Sequence, residues 1–268
     1  MTNEQASIAE VFQRSRSDER AALIPYVTAG HPHLRDLPAL IEAMNDGGAD
    51  IIEIGIPFSD PLADGPILQK AATHALMNGT KIRDILKITE SVSAHSVPIV
   101  YLTYFNPIFH FGVESFLQKA CDSGVKGIII PDLPWEESAD VLAYTEALGM
   151  SLIPLVAPTS TDAHIVSLSR ASGFVYGVSV TGVTGIRDDV DAGLKTLVDR
   201  VKRQIPQPLA VGFGISSPDQ ARYVGSLADG VIVGSALVRR IDEAGLQAST
   251  ETYKFMTSLR NALSNKRS

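Results

Sequence analysis

Eight short apolar runs, rich in β-branched residues, recur along this chain, each separated from the next by a longer segment of helical period. They lie at 22–27 (ALIPYV), 50–55 (DIIEIG), 98–102 (PIVYL), 127–130 (GIII), 151–155 (SLIPL), 174–178 (FVYGV), 208–212 (PLAVG) and 229–233 (DGVIV). Runs that are apolar throughout, rather than alternating, suit strands buried on both faces, as in a parallel sheet whose connections are helices. Their starts fall about 30 residues apart, the length of one βα unit. Helices are predicted at 35–46, 64–77, 81–94, 113–123, 136–148, 161–171, 191–204, 217–225 and 246–263. Cap chemistry agrees: Thr161 and Asp162 precede AHIVSLSR, and Ser216 and Ser217 precede Pro218, which suits a first helical turn.

Eight strand–helix repeats without a Gly/Ser/Pro-rich linker predict one domain, a (β/α)8 or TIM barrel spanning all 268 residues, near the roughly 250 typical of that fold. Residues 1–16 are read as a capping helix, with Ile8, Val11 and Phe12 on the face that closes the bottom of the barrel, and 17–265 as the barrel itself. A doubly wound open sheet is the alternative, but the first βα turn, YVTAGHP, lacks the G-x-G-x-x-G fingerprint. Two connections exceed what the scaffold needs, 56–80 after the second strand and 179–190 after the sixth. In this fold long βα loops stand at the C-terminal face, so both are candidate lids.

Charge narrows the function classes. With 23 Lys and Arg against 30 Asp and Glu, a net charge of -7 and no basic cluster, the chain does not suit nucleic acid. The longest apolar runs are strand-sized, well below the ~20 residues that span a bilayer. The first residues, MTNEQASIAEVF, carry no basic segment followed by an apolar one, so a cytoplasmic location is expected. Cys121, the one cysteine, reads as part of a helix end packed on the core.

Against this background Glu53 stands out, a carboxyl inside the apolar strand DIIEIGIPF on the same face as Ile51 and Gly55. Burying a carboxylate is costly unless it is paired or reacts, so Glu53 is a candidate for proton transfer, with a structural ion pair as the competing explanation. The following loop, PFSDPLADGP, holds Asp60 and Asp64, which serve either as turn and cap residues or, for Asp64, as the second carboxylate of an acid–base pair. Glycine turns follow the last three strands: TGVTG at 181–185, GFGIS at 212–216 and GSAL at 234–237. In a (β/α)8 barrel the last two of these loops, with the start of a short extra helix, form a phosphate cradle of backbone N–H groups, which Gly214, Gly234 and Ser235 fit. Neither turn contains Lys or Arg, and Arg187 is the one nearby cation. The only metal-like spacing, His31-Pro32-His33, sits in a loop and contains proline, so no metal is expected. No lysine ends a predicted strand, which disfavours Schiff-base chemistry. Tyr26, Leu102, Tyr104, Phe105, Ile129, Ile153, Tyr176 and Phe213 are apolar or aromatic positions available to hold a flat ring.

These segments together resemble the tryptophan synthase alpha chain family. IIEIGIPFSDPLADGP (51–66) is similar to that family's signature, and PYVTAGHP, PDLPWEES, GVTG, GFGIS and VGSALV follow in the family's order, from about Ile8 to Leu263. The resemblance implies retro-aldol cleavage of indole-3-glycerol phosphate to indole and glyceraldehyde 3-phosphate. It implies that Glu53 protonates indole C3 and handles the adjacent hydroxyl proton, that Asp64 holds the indole N–H, and that Tyr176 supports them. It further places Tyr26, Leu102, Tyr104, Ile129 and Ile153 around the indole, Thr184 on a loop closing toward Asp64, and phosphate on Gly185, Phe213, Gly214, Gly234 and Ser235. Tyr26 stands where many members have Phe, and Thr181 lies in a variable part of the sixth loop. The implied partner is the beta chain, a pyridoxal-phosphate enzyme, in an α2β2 complex, met through 57–62 (with Pro57 and Asp60) and 107–110; no cofactor is implied for this chain itself. Other phosphate-binding barrels of the same pathway, acting on a phosphorylated anthranilate derivative, and a non-catalytic regulatory barrel are the alternative readings.

Overall fold

The structure, a computed structural model, describes residues 5–178, 187–212 and 214–264, without the side chains of 187–192. Its strands are β1 (Ala22–Thr28), β2 (Ile52–Gly55), β3 (Ile99–Leu102), β4 (Val125–Ile129), β5 (Ser151–Leu152), β6 (Leu155–Val156), β7 (Val175–Val178), β8 (Leu209–Gly212) and β9 (Gly230–Val233). All pair in parallel in the order β5-β4-β3-β2-β1-β9-β8-β7-β6. The two ends of that order, β5 and β6, are separated in sequence only by Ile153 and Pro154. They are halves of the one strand predicted at 151–155, and the sheet closes through them. Proline has no N–H for the ladder, yet the ladder passes through this point: Ile153 donates to the Ile128 carbonyl at 2.9 Å, and the Pro154 carbonyl accepts from Tyr176 at 2.9 Å. The first half thus bonds to β4 and the second to β7, giving the TIM-barrel architecture with its fifth strand interrupted.

The pleat sorts side chains into two cores. Outward residues such as Leu23, Val27, Ile52, Ile54, Val175 and Val231 pack under the surrounding helices. Inward residues, Ala22, Ile24, Ile51, Val100, Ile129, Ile153, Phe174, Ala210 and Ile232, fill the barrel together with Ile8, Val11 and Phe12. The last three belong to the helix Ile8–Ser17, which starts with a Ser7–Glu10 capping box and plugs the bottom, as its amphipathic pattern predicts. It enters deeply because the strands and their entry turns give way to it. A β-carbon on Gly127 would stand 2.9 Å from Ile8 Cδ1, and one on Gly230 would stand 3.3 Å from Phe12 Cε1. Asp50 accepts from the two terminal guanidinium nitrogens of Arg20 (2.7 and 2.9 Å), from Arg260 (2.7 Å) and from the Leu23 N–H (2.8 Å), tying the starts of β1 and β2 to the last helix, Ala248–Ser264.

Several helices differ from expectation. A seven-residue helix, Phe105–Phe111, occupies a stretch predicted as loop. It follows β3 because Asp132, on the next βα loop, accepts from the Phe105 N–H at 2.8 Å, a cap supplied from 27 residues away. The helix after β7 starts at Arg187 rather than 191, so the connection read as 179–190 is shorter, and its 179–186 part lies outside the described residues. The helix after the second-strand loop starts at Pro66 rather than 64. Segments 136–148 and 161–171 each divide into an α-helix and a 3-10 turn. Among the described residues no helix is long and apolar enough to cross a membrane.

Phe12 is 4% exposed and its ring centroid lies 5.4 Å from that of Phe174. Phe12→Ala should therefore cost about 3 kcal/mol, seen as a lower urea midpoint at unchanged slope; a midpoint equal to that of the wild type would mean that the plug does not contribute to stability.

Candidate active site

Glu53 reaches the mouth because β2 is in register with its neighbours: its partners across the ladder are Tyr26 on β1 and Val100 on β3. Alternation that sends Ile52 and Ile54 outward sends Glu53 inward. The side chain is fully buried, and neither carboxyl oxygen has a hydrogen-bond partner among the described residues. Burial, with the nearby Asp64 carboxylate adding to it, raises the Glu53 pKa to about 8. At neutral pH Glu53 is therefore mostly the acid.

Asp64 is half-buried on the loop between β2 and the helix Pro66–Met77. Burial raises its pKa to about 6, with the Tyr104 hydroxyl acting in the opposite direction. At neutral pH it is mostly the carboxylate, so the two groups sit in opposite protonation states across one cleft. Tyr104, 3% exposed, also accepts from the Ala63 N–H at 3.0 Å, so one phenol both touches Asp64 and tethers its loop. The loop is further held by Phe58, whose ring centroid is 5.3 Å from that of Tyr104.

Five further predicted positions lie on the inward side of neighbouring strands, in the barrel interior. Tyr26 and Ile129 are buried at the ends of β1 and β4, Ile153 lies at the interruption of the fifth strand, and Leu102 is half-buried at the end of β3. Tyr176, on β7, is partly open to the mouth; burial first, then Glu53, keeps its phenol well above the ordinary range. Burial, then Asp64, does the same for Tyr26. Both phenols are thus neutral hydrogen-bonding groups at working pH. Two glycines make room for them: a β-carbon at Gly55 would collide with the Tyr26 hydroxyl, and one at Gly212 would lie 2.9 Å from that of Tyr176.

At the opposite rim Gly214 adopts φ +48, with no atom within 4 Å of where a β-carbon would be. Gly234 precedes the helix Ser235–Ala244, and its carbonyl accepts from Leu237 (2.9 Å) and Val238 (3.0 Å). The N–H groups of Ser235 and Ala236 have no acceptor within the helix, as at any helix start, and point out of its positive end. Thr181, Thr184, Gly185 and Phe213 lie outside the described residues, as does the side chain of Arg187. His31 of the His-x-His pair is buried, with Nδ1 3.4 Å from His74 Nδ1. The sequence reading did not single out Thr28, which is 1% exposed and 3.2 Å from the Tyr26 hydroxyl, nor Phe58 and Asp132, which fix the loop and the 105–111 helix. Apolar side chains also face outward on this rim: Leu62 is 84% and Phe109 67% exposed.

A closed parallel barrel that gathers a buried acid at one strand tip and a second carboxyl on the loop that follows has the architecture of a (β/α)8 enzyme, with candidate acid–base groups at the face where that fold carries its chemistry. Comparison with known proteins specifies which. The family model described as tryptophan synthase alpha chain matches residues 12–266, and the chain belongs to that family. It is 46% identical over 261 residues to the tryptophan synthase alpha chain of Thermosynechococcus vestitus, covering 96% of this chain and 97% of the relative. The Thermoanaerobacter sp. alpha chain is 43% identical over 259 residues, covering 96% and 99%. Among solved structures, the alpha chain from Legionella pneumophila superposes with a TM-score of 0.89 at 32% identity, covering 97% of this chain and 98% of that one. A chain of tryptophan synthase from M. tuberculosis gives 0.88 at 36% identity, covering 97% and 99%. The family cleaves indole-3-glycerol phosphate in tryptophan biosynthesis, and this chain is a lyase of that type.

The raised Glu53 pKa has a sign for stability. Its folded value of about 8 lies above the ordinary 4.5, so the native chain retains a proton that the unfolded chain releases. The contribution is fully present below pH 4.5 and is lost as pH rises through about 8. Glu53→Gln should therefore gain stability relative to wild type across that window, by a few kcal/mol at its upper end. Urea unfolding of both proteins as a function of pH measures the difference, and a pH-independent difference would contradict the assignment.

Proposed function

We propose that Glu53 is the catalytic acid and base of the cleavage, and Asp64 the group that holds the indole nitrogen. The observation that carries this reading is the opposed protonation of two neighbouring groups, a buried acid with pKa about 8 and a half-buried carboxylate with pKa about 6. Glu53 gives its proton to indole C3, converting the ring to an indoleninium. Asp64 accepts the hydrogen bond of the ring N–H and offsets the positive charge that develops there. The carbon–carbon bond then breaks with its electron pair returning to the ring. The hydroxyl on the departing carbon becomes the aldehyde oxygen, and its proton passes to the Glu53 carboxylate, which restores the acid. No net proton is consumed, and the leaving group is made by protonation alone.

Tyr176 supports this exchange as a neutral phenol beside Glu53. Tyr26, Leu102, Tyr104, Ile129 and Ile153 enclose the indole, and Thr184 closes over it. Gly185, Phe213, Gly214, Gly234 and Ser235 hold the phosphate. The positive φ of Gly214 and the start of the 235–244 helix support the cradle, which uses backbone N–H groups in place of cations. The whole chain acts as one domain, capped by its first helix. It works without a cofactor of its own, in the cytoplasm, with the beta chain as partner in an α2β2 complex. The exposed Leu62 and Phe109, within the two segments 57–62 and 107–110, suit such an interface. Pyridoxal phosphate belongs to that partner.

Glu53→Gln should lower kcat for indole release by about a hundredfold or more, while the phosphate ligand still binds; turnover equal to that of the wild type would remove Glu53 from the mechanism. Gly214→Asp places a carboxylate in the cradle at a position with room for it, and should raise KM for indole-3-glycerol phosphate by about tenfold with a smaller change in kcat. An unchanged KM would move the phosphate elsewhere.

A further inference from the structure

The hydroxyl of Tyr26 has a place of its own in the mouth, distinct from the ring contacts proposed above. The side chain starts beside Gly234, where a β-carbon would stand 3.7 Å from Tyr26 Cβ and 3.8 Å from Cγ and Cδ1. It ends over Gly55, two residues beyond Glu53 on the same face of β2, where a β-carbon would collide with the hydroxyl. One phenol therefore runs from the turn that opens the 235–244 helix to the strand end that carries Glu53. Its oxygen pairs with Thr28 Oγ1 at 3.2 Å inside the protein. With Thr28 donating, the phenolic hydrogen is left for the cleft. The rest of the ring is enclosed by Ala71, Val238, Ile67, Leu68 and Leu102, all apolar.

The substrate spans the same interval. On the reading given above, on which this inference rests, its phosphate lies at Gly234 and Ser235 and its breaking bond at Glu53. Between them runs a three-carbon chain with two hydroxyls. One becomes the aldehyde oxygen and gives its proton to Glu53. The other, on the middle carbon, takes no part in the chemistry but must be desolvated, and a buried hydroxyl without a partner is costly. Tyr26 offers a polar atom on that interval, between the turn at Gly234 and the strand end that carries Glu53. We infer that the Tyr26 hydroxyl, oriented by Thr28, donates a hydrogen bond to the middle hydroxyl of the glycerol chain, and so makes Tyr26 a residue that distinguishes a glycerol phosphate from a plain alkyl phosphate. Sites built around a substrate hydroxyl discriminate against analogues that lack it, because their own polar group is then left unpaired.

Equilibrium binding in a Glu53→Gln background, where the substrate stays intact, tests this with two ligands. One is indole-3-glycerol phosphate; the other is indole-3-propyl phosphate, which has the same ring and phosphate but neither hydroxyl. Adding Tyr26→Phe removes one oxygen and leaves the ring in place. The glycerol ligand should then bind about fivefold more weakly, as expected for one neutral hydrogen bond, and the propyl ligand should be unaffected. Thr28→Val should weaken the glycerol ligand alone, by a smaller factor. Equal losses for both ligands would make Tyr26 a packing residue, and no loss for either would leave its hydroxyl without a role; each overturns the inference. Failure of the Glu53→Gln parent to bind either ligand would overturn the underlying reading of the mouth, and this inference with it.

Discussion

The fifth strand cannot run straight through Pro154, and the way it is interrupted determines the rest of the barrel. A parallel sheet with free edges would present unpaired N–H and C=O groups at both sides. Here the Ile153 N–H finishes the ladder to one side and the Pro154 carbonyl starts it to the other, so the sheet has no edge. Closure commits every second residue of every strand to a confined interior. Two features of the mouth follow from that confinement: a glutamic acid on the inward face has nowhere solvated to go, and the Tyr26 and Tyr176 phenols each lie across a glycine of the adjacent strand.

Confinement also separates the two ends of the molecule chemically. At the bottom, the Asp50 carboxylate meets two guanidinium groups and a backbone N–H, and Asp229 accepts from the Leu209 N–H at 3.0 Å. At the top, Glu53 has no such partners among the described residues. Both ends hold acids, but one set is satisfied by hydrogen bonds of the fold, while lack of solvation favours the protonated form of Glu53. The contrast resolves how an acidic chain of net charge -7 suits an anionic substrate. Net charge describes the whole surface, whereas the rim proposed for phosphate would offer backbone dipoles rather than side-chain charge.

Much of this is legible in the sequence, for identifiable reasons. Strands buried on both faces are continuous apolar runs, so all eight were visible, and a charge inside one of them made Glu53 conspicuous. What escaped was set by residues distant in sequence. The 105–111 helix depends on Asp132, which belongs to a different loop. Thr28 reads as an ordinary β-branched strand residue, and only the fold brings its hydroxyl to Tyr26. Two glycines of the proposed cradle differ in backbone conformation. Gly214 occupies a positive φ, whereas Gly234 is at φ -105, where a β-carbon would meet Tyr26 only at ordinary contact distance. A sequence shows where glycines cluster; which neighbour or dihedral requires each one is a property of the folded chain.

Tyr104 joins two of these themes. Its oxygen takes the Ala63 N–H, and its neighbour in the mouth is Asp64. A single phenol thus reads out both the position of a loop and the charge at its tip. When that loop moves away, Asp64 leaves the environment that raises its pKa, and its proton affinity falls with its departure. Loop position and acidity are one variable here: burial in the present loop position is what raises the Asp64 pKa, so any displacement of the loop would register as a change in the basicity of that carboxylate.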